Sequence, residues 1–199
     1  MLVKQLVVTY GNIKINTKTN SMIRKKDAYI TTYSGLKFHI FNPTVDEVDI
    51  RDCAHSLSMT CRFNSHTPRF YSVGSHSLIG AKLIANPFKK QFLTHDFSET
   101  YTGDCVTPIK RRLKEFVKME HKIERVINKK FHVPYPMAPE VKEMDNLMLR
   151  MELVYLMNIK RNPDEKFPLT KRQFMKEINK SHKQVEKELL AMYKKLDVN

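Results

Sequence analysis

The chain has no tryptophan, only 5 glycines and only 3 cysteines in 199 residues. Scarce glycine goes with the long helical stretches that dominate its second half. The cysteines, Cys53, Cys61 and Cys105, are odd in number and match no zinc spacing, so they give no disulfide framework and no zinc motif. They read as reduced thiols of a cytosolic protein. No apolar run approaches ~20 residues, which excludes a membrane-spanning helix. The stretch Met1 to Ile15 lacks a long apolar core and a small-residue cleavage site, so no secretory leader is expected. Acidic residues are short as well: 21 Asp and Glu face 35 Lys and Arg, for a net charge of +14. That excess implies an anionic partner, whether nucleotide, nucleic acid or acidic surface, or simply a solvated basic face.

The composition that is present is globular. Hydrophobic residues make up 41% and charged residues 28%, and the length suits one domain with a sizeable core. We divide the chain into an N-terminal extension, residues 1–26, and a single domain, residues 27–199. In the extension, Gln5–Tyr10 reads as a strand, Gly11-Asn12 as a turn and Thr17–Lys26 as a loop. Ala28–Tyr33 and Lys37–Asn42, joined at Ser34-Gly35, predict a small β-hairpin. The rest predicts an all-α body that the hairpin caps. Thr44 starts a short helix that runs through Leu57, and Ser58–Arg69 is a loop. Further helices are expected over Phe70–Ala85, Gln91–Thr100, Lys110–Lys130 and Glu140–Ile159. The last runs from Thr170 to Leu196, with Gln173 completing a capping box. On Lys110–Lys130 the apolar stripe is Leu113, Phe116, Val117, Ile123 and Ile127. The final helix, with Phe174, Ile178, Val185, Leu189 and Leu190, either closes the core or pairs with a second copy as a homo-oligomer.

The chemistry centres on His95-Asp96, a neutral imidazole beside a hard carboxylate. Such mixed ligation suits Mn, Co, Fe, Mg or Zn. The dipeptide alone is as well explained by an exposed polar pair. His76, in a small and apolar helix, reads by itself as a core histidine. Asp145, beside an apolar helical stripe, is costly to bury unless it is paired or bound to metal. The alternative is a salt bridge to Arg150 or to the basic helix, and Glu152, two turns further on the same side, either supports a ligand from behind or joins that salt bridge.

Five segments in order carry a resemblance. They are Cys61–Thr67, Tyr71–Ser77, Leu93–Glu99, Thr102–Asp104 with Thr107–Lys110, and Val141–Asp145. Over about Tyr29 to Met157 the chain resembles the HD superfamily of metal-dependent phosphohydrolases, in its small nucleotidase branch of bacterial 5′-deoxynucleotidases and bacteriophage relatives. The resemblance implies an HD-type helical bundle. It also implies one divalent ion held by His76, His95, Asp96 and Asp145. Glu99 matches a carboxylate that acts on the attacking water, and on a helix it would share a face with His95 at i, i+4. Asp104 matches an acidic residue near sugar and phosphate, and Arg62 a phosphate-binding arginine. Phe63 would line the base pocket. His66 would meet the phosphate or hold its loop. Thr107 and Lys110 are substrate-binding candidates, with a helix cap and a solvated lysine as alternatives. Gly74 and Ser75 stand where the family has alanine and glutamate, and Phe97 where a small residue is common. These departures leave the ligand set intact and bear on its surroundings and on the substrate.

The function implied is hydrolysis of a deoxynucleoside 5′-monophosphate to deoxynucleoside and phosphate, in the cytoplasm, the host's where the source is viral. One alternative is a triphosphohydrolase using Lys110, Arg111 and Arg112 for the outer phosphates. Another is a basic nucleic-acid-binding protein, since nine Lys or Arg face three Glu over Lys110–Lys130. Few aromatics are interleaved there and no DNA-binding motif is visible, so nucleic acid is disfavoured as a partner.

Overall fold

A computed structural model describes residues 28–198. The strand, turn and loop expected within residues 1–26 lie outside them. Strand β1 (Tyr29–Thr31) pairs antiparallel with β2 (Lys37–His39), with Ile30 opposite Phe38. This hairpin is pinned to the helical body. Asp52 accepts from the Ser34 backbone N–H at 2.6 Å and from its hydroxyl at 2.8 Å. Phe38 is fully buried and stacks on Tyr101. The expectation of a hairpin capping an all-α body holds.

The helix expected from Thr44 splits in two. Residues Val45–Glu47 form a single 3-10 turn, and α1 (Ile50–Met59) starts afresh at Asp49, whose carboxylate accepts from the Arg51 N–H. Between them Val48 is extended and points into the core, and Glu47 is taken up by the backbone and ring of His39. Helix α2 (Val73–Leu83) starts later than expected because Ser72 is bridged to Cys61 as extended chain. The Ser72 hydroxyl then caps the helix by accepting from the Ser75 N–H.

The segment expected as one helix over Gln91–Thr100 is α3 (Lys89–Thr94), then a tight turn, then α4 (Glu99–Thr102). Across the turn the bonds run three residues back, as in Phe97 N–H to Thr94 and Glu99 N–H to Asp96. Helix α5 (Thr107–Lys110) is separate from α6 (Lys114–Lys130), which leaves Leu113 outside the helix and exposed. Ile123 and Ile127 are buried as expected, while Phe116 and Val117 are half-buried. Helix α7 (Pro139–Tyr155) follows the proline linker.

The last predicted helix is two, α8 (Lys171–Ile178) and α9 (His182–Asp197). The capping box at Thr170 and Gln173 is present, and a second, Ser181 with Gln184, restarts the chain. Phe174, Ile178, Val185 and Leu189 are all buried within the protein, so this face closes the core. One core cluster gathers α2, α3, α7, α8 and α9, and a second gathers the hairpin, α1, α4 and α6.

Candidate metal centre

Helices α2, α3 and α7 deliver three donor residues to one point. His76 sits mid-way along α2 with no exposed surface. Its depth follows from close packing. A Cβ at Gly80, one turn later, would lie 2.0 Å from the ring of Phe92, so glycine is what lets α3 approach. Gly74, where the resembled family has alanine, lies against the Leu57 backbone, which a Cβ would meet at 3.0 Å. His95 and Asp96 follow the end of α3, and Asp145 projects from α7.

Three of the five donor distances suit a shared ion, and the other two, both 3.8 Å, are longer. His76 Nε2 lies 3.4 Å from His95 Nε2 and 3.4 Å from Asp145 Oδ1. His95 Nε2 lies 3.8 Å from Asp145 Oδ1 and 3.2 Å from Asp96 Oδ2, and the latter is 3.8 Å from His76 Nε2. Donors about 2.1 Å from a common ion, at angles of about 90–110°, stand about 3.0–3.4 Å apart. His76, His95 and Asp145 thus form a group able to hold a metal ion.

The tautomers make the case chemical. His76 Nδ1 faces Glu152 Oε1 at 2.6 Å, and His95 Nδ1 faces the Phe92 carbonyl oxygen at 2.6 Å. Both partners only accept, so both Nδ1 atoms carry a hydrogen, and when the rings are neutral it is the Nε2 lone pairs that face inward. Two such nitrogens converge with Asp145 Oδ1, and Asp96 Oδ2 stands beside the nitrogens outside that group of three. That arrangement repels itself unless a cation sits at its centre. Without a metal, the cations at hand are Arg62 beside Asp96, Lys142 on Asp145 and a proton on an imidazole. Burial and Arg62 push His76 down, but Glu152 and Asp145 prevail and raise it to about 9. Burial likewise opposes the charge on Asp145, and the two histidines override it and hold it far below the usual carboxylate range.

Glu152 is the support beneath this cluster. Fully buried, it accepts from His76, from the Tyr71 hydroxyl at 2.7 Å and from Arg62 at 3.2 Å. Of the roles open to it, it takes the one that orients a ligand histidine. Asp145 instead pairs at the surface with Lys142 at 2.7 Å, and Arg150 pairs with Glu165.

Around the centre, Arg62 places Nη1 3.5 Å from Asp96, and its Nε is buried without a partner among the described residues. Burial works against its charge, which Glu152 and Asp96 more than restore. Three successive residues after it, Phe63, Asn64 and Ser65, have positive φ of 55°, 47° and 64°. Left-handed backbone costs a non-glycine residue about 1–2 kcal/mol, so this turn is held in place by its surroundings. Phe63 packs on the larger core with Arg62 over its ring. His66 is exposed, with no side-chain contact to the cluster among the described residues.

Glu99 corrects one expectation. The tight turn puts it three residues per turn from Asp96 rather than on an α-helical face with His95. Its Oε2 is buried and unpartnered among the described residues. Burial, then Asp96 and Asp104, push it well above the usual carboxylate range. Asp104 is raised too, chiefly by burial, against the pull of Arg62. Lys110 is ion-paired to Glu120 on α6 and acts electrostatically on both Glu99 and Asp104. Thr107, the first residue of α5, is exposed. Tyr71, Glu120 and the lysine on Asp145 were missed in sequence. Tyr71 carries no local signal because its partner Glu152 is distant in the chain, whereas Lys142, three residues before Asp145 on one helix, could have been found from that spacing.

Fold and site together define an all-α protein, capped by a β-hairpin, with a histidine and carboxylate cluster able to hold a metal ion. No family model matches the chain. The uncharacterized protein YfdR of Escherichia coli K12 is 38% identical to it over 125 residues, 63% of this chain and 70% of that protein. An uncharacterized protein of Rhodobacter capsulatus is 30% identical over 141 residues, 64% of this chain and 72% of that protein. The chain belongs to the family of YfdR.

Proposed function

We propose that the protein is a metal-dependent phosphohydrolase of the HD type, acting on a deoxynucleoside 5′-monophosphate. The observation that carries this reading is the convergence of His76 Nε2, His95 Nε2 and Asp145 Oδ1, with Asp96 Oδ2 beside the two nitrogens and both histidine Nδ1 hydrogens already bonded elsewhere. These four residues would hold one divalent ion. Mn, Co, Fe, Mg and Zn all accept this donor set. When bound, such an ion supplies Lewis acidity toward a phosphoryl oxygen and toward water.

The chain's own groups do the rest. Glu99 orients water and takes its proton, a role that its buried, unpartnered oxygen supports. The water oxygen bonds to phosphorus as the bond from phosphorus to the sugar 5′-oxygen breaks. Asp104, raised by burial and so able to carry a proton, supplies it to the leaving oxygen. Arg62 offsets charge on the phosphoryl group. The products are deoxynucleoside and phosphate.

A second reading, release of triphosphate from a deoxynucleoside triphosphate, draws on Lys110, a cation acting on the carboxylates of the site. The test is a screen of deoxynucleoside mono- and triphosphates with Mn, Co and Mg, reading nucleoside, phosphate and triphosphate. Phosphate from a monophosphate is expected, and triphosphate would favour the second reading. A protein that holds Mn or Co yet cleaves no nucleotide sinks both. Salt-sensitive DNA binding that survives chelator and Asp96→Ala would favour the nucleic-acid reading instead.

A further inference from the structure

Of the nine Lys or Arg over Lys110–Lys130, Lys110 acts on Glu99 and Asp104 beside the metal centre. Helix α6 shows where most of the others point. At about 3.6 residues per turn, Lys114, Lys118, Lys122, Arg125 and Lys129 fall within about 80° of one another. All five are exposed. Ile123 and Ile127, buried in the smaller core cluster, lie on the opposite side of the helix. The five cations therefore form one line, about 22 Å long, on the face turned away from the core.

The line is short of counter-charge. Glu120 is buried on Lys110, and Glu124 is bonded to His121 off the line. Glu115 pairs with Lys118. Lys114, Lys122 and Lys129 have no ion pair among the described residues. Like charges three and four residues apart repel and weaken a helix. A merely solvated face alternates the two signs. This face instead holds a repulsion that a polyanion lying along it would relieve.

The form of the line selects the polyanion. A helix that rests on a membrane inserts its apolar face, and that of α6 is already buried in the protein. A protein partner needs an apolar anchor at the middle of its interface, and these five positions offer charge without one. Charge at regular intervals along a straight rod fits a phosphate backbone. One strand of a duplex carries a phosphate every ~3.4 Å, so six or so face a line of this length. Few aromatics accompany the line, and Tyr135 beside it lies under the Arg125 guanidinium. That argues against stacking on unpaired bases, whereas contact with a duplex backbone needs no aromatic and no base-reading motif.

We propose that the exposed face of α6 is a docking surface for the phosphate backbone of a nucleic acid duplex, held without regard to base sequence. The surface needs no metal, and it stands beside the reading of the metal centre rather than replacing it.

The test titrates the full chain against a fluorescent DNA duplex of about 20 base pairs, read by anisotropy between about 50 and 200 mM salt. Five contacts predict a slope of log Kobs on log salt of about −4.5, the same for unrelated sequences. Lys118→Gln with Lys122→Gln and Lys129→Gln should bring the slope to about −2 and weaken binding about tenfold or more. Lys160→Gln with Lys166→Gln and Lys176→Gln removes the same charge elsewhere and should leave the slope as it was. All six lysines are exposed, so neither variant strikes the core. A wild-type slope shallower than about −2 overturns the assignment whatever the variants do. An equal loss in both variants also overturns it, because the attraction would then be that of net charge alone. Tighter binding to polyglutamate or to phosphatidylserine vesicles than to the duplex would overturn the choice of nucleic acid and give the face to an acidic protein or a membrane.

Discussion

His76 and His95 each give one ring nitrogen to the protein and turn the other toward the same point, and Glu152 fixes the first of them. That carboxylate holds three donors at once, from His76, Tyr71 and Arg62. Substitution Glu152→Gln keeps the shape and removes the charge. A carboxamide oxygen can still accept from His76 and Tyr71, which share Oε1, but its NH₂ then faces Arg62, donor against donor. Manganese affinity measured by calorimetry should fall about 10–100-fold. Denaturant unfolding should show a loss of about 3–5 kcal/mol, because Arg62 remains buried with one partner fewer. Unchanged metal affinity would show that Glu152 orients nothing. His76, His95 and Asp145, which the structure brings together, were legible in sequence because they sit in ordered local contexts. Glu152 was seen only as one of two possibilities, and Tyr71 not at all, because a buried hydrogen bond between residues 71 and 152 leaves no trace in either neighbourhood.

Between elements, the spacing of α2 and α3 sets the distance from His76 to His95. Gly80 permits it, and a Cβ there would overlap the Phe92 ring. Gly80→Ala should therefore destabilise the protein by about 1–3 kcal/mol, as overpacking does. It should also weaken metal binding, because the Phe92 carbonyl holds His95. Thermal melting and metal titration of the one variant check both effects. The junction of α2, α8 and α9 is tied by Lys82 and Lys180 to Glu177 and Glu188. Burial works against both carboxylates, but the two lysines hold them below their ordinary 4.5. Their stabilisation is thus present above pH 4.5 and lost as the pH falls through their lower folded values. The groups are partly exposed, so Glu177→Gln with Glu188→Gln should cost less than about 1 kcal/mol at pH 7. In denaturant melts that difference should shrink with added salt and vanish in acid. Helix positions were readable from apolar periodicity, whereas helix joints were not. The break at Asn179–Ser181 keeps the apolar stripe intact on both sides, and periodicity cannot register a change of direction. The second capping box, Ser181 with Gln184, was the available signal. The tight turn at His95–Ser98 had none, since three and four residues per turn differ little over one turn.

At the scale of the molecule, the metal centre lies where the two core clusters meet. Phe92 and Leu93, before the His95-Asp96 pair, belong to the larger cluster, and Phe97, after it, to the smaller. No helix among the described residues is long and apolar enough to cross a membrane. An ion held by α2, the α3–α4 turn and α7 cross-links segments up to 69 residues apart, from His76 to Asp145. Because the unfolded chain cannot assemble that donor set, binding must appear as global stability. At a free concentration about 100 times the Kd the gain is about 2.7 kcal/mol, which for a chain of this size raises Tm by about 5–10 °C. Manganese added after chelator treatment should produce that rise, growing with the logarithm of its concentration. In Asp145→Ala the rise should shrink to a fraction, because one donor is gone and the remaining three no longer bridge to α7. A Tm indifferent to every divalent ion would mean that the converging lone pairs are held apart by a proton alone, and the centre would then be no metal site.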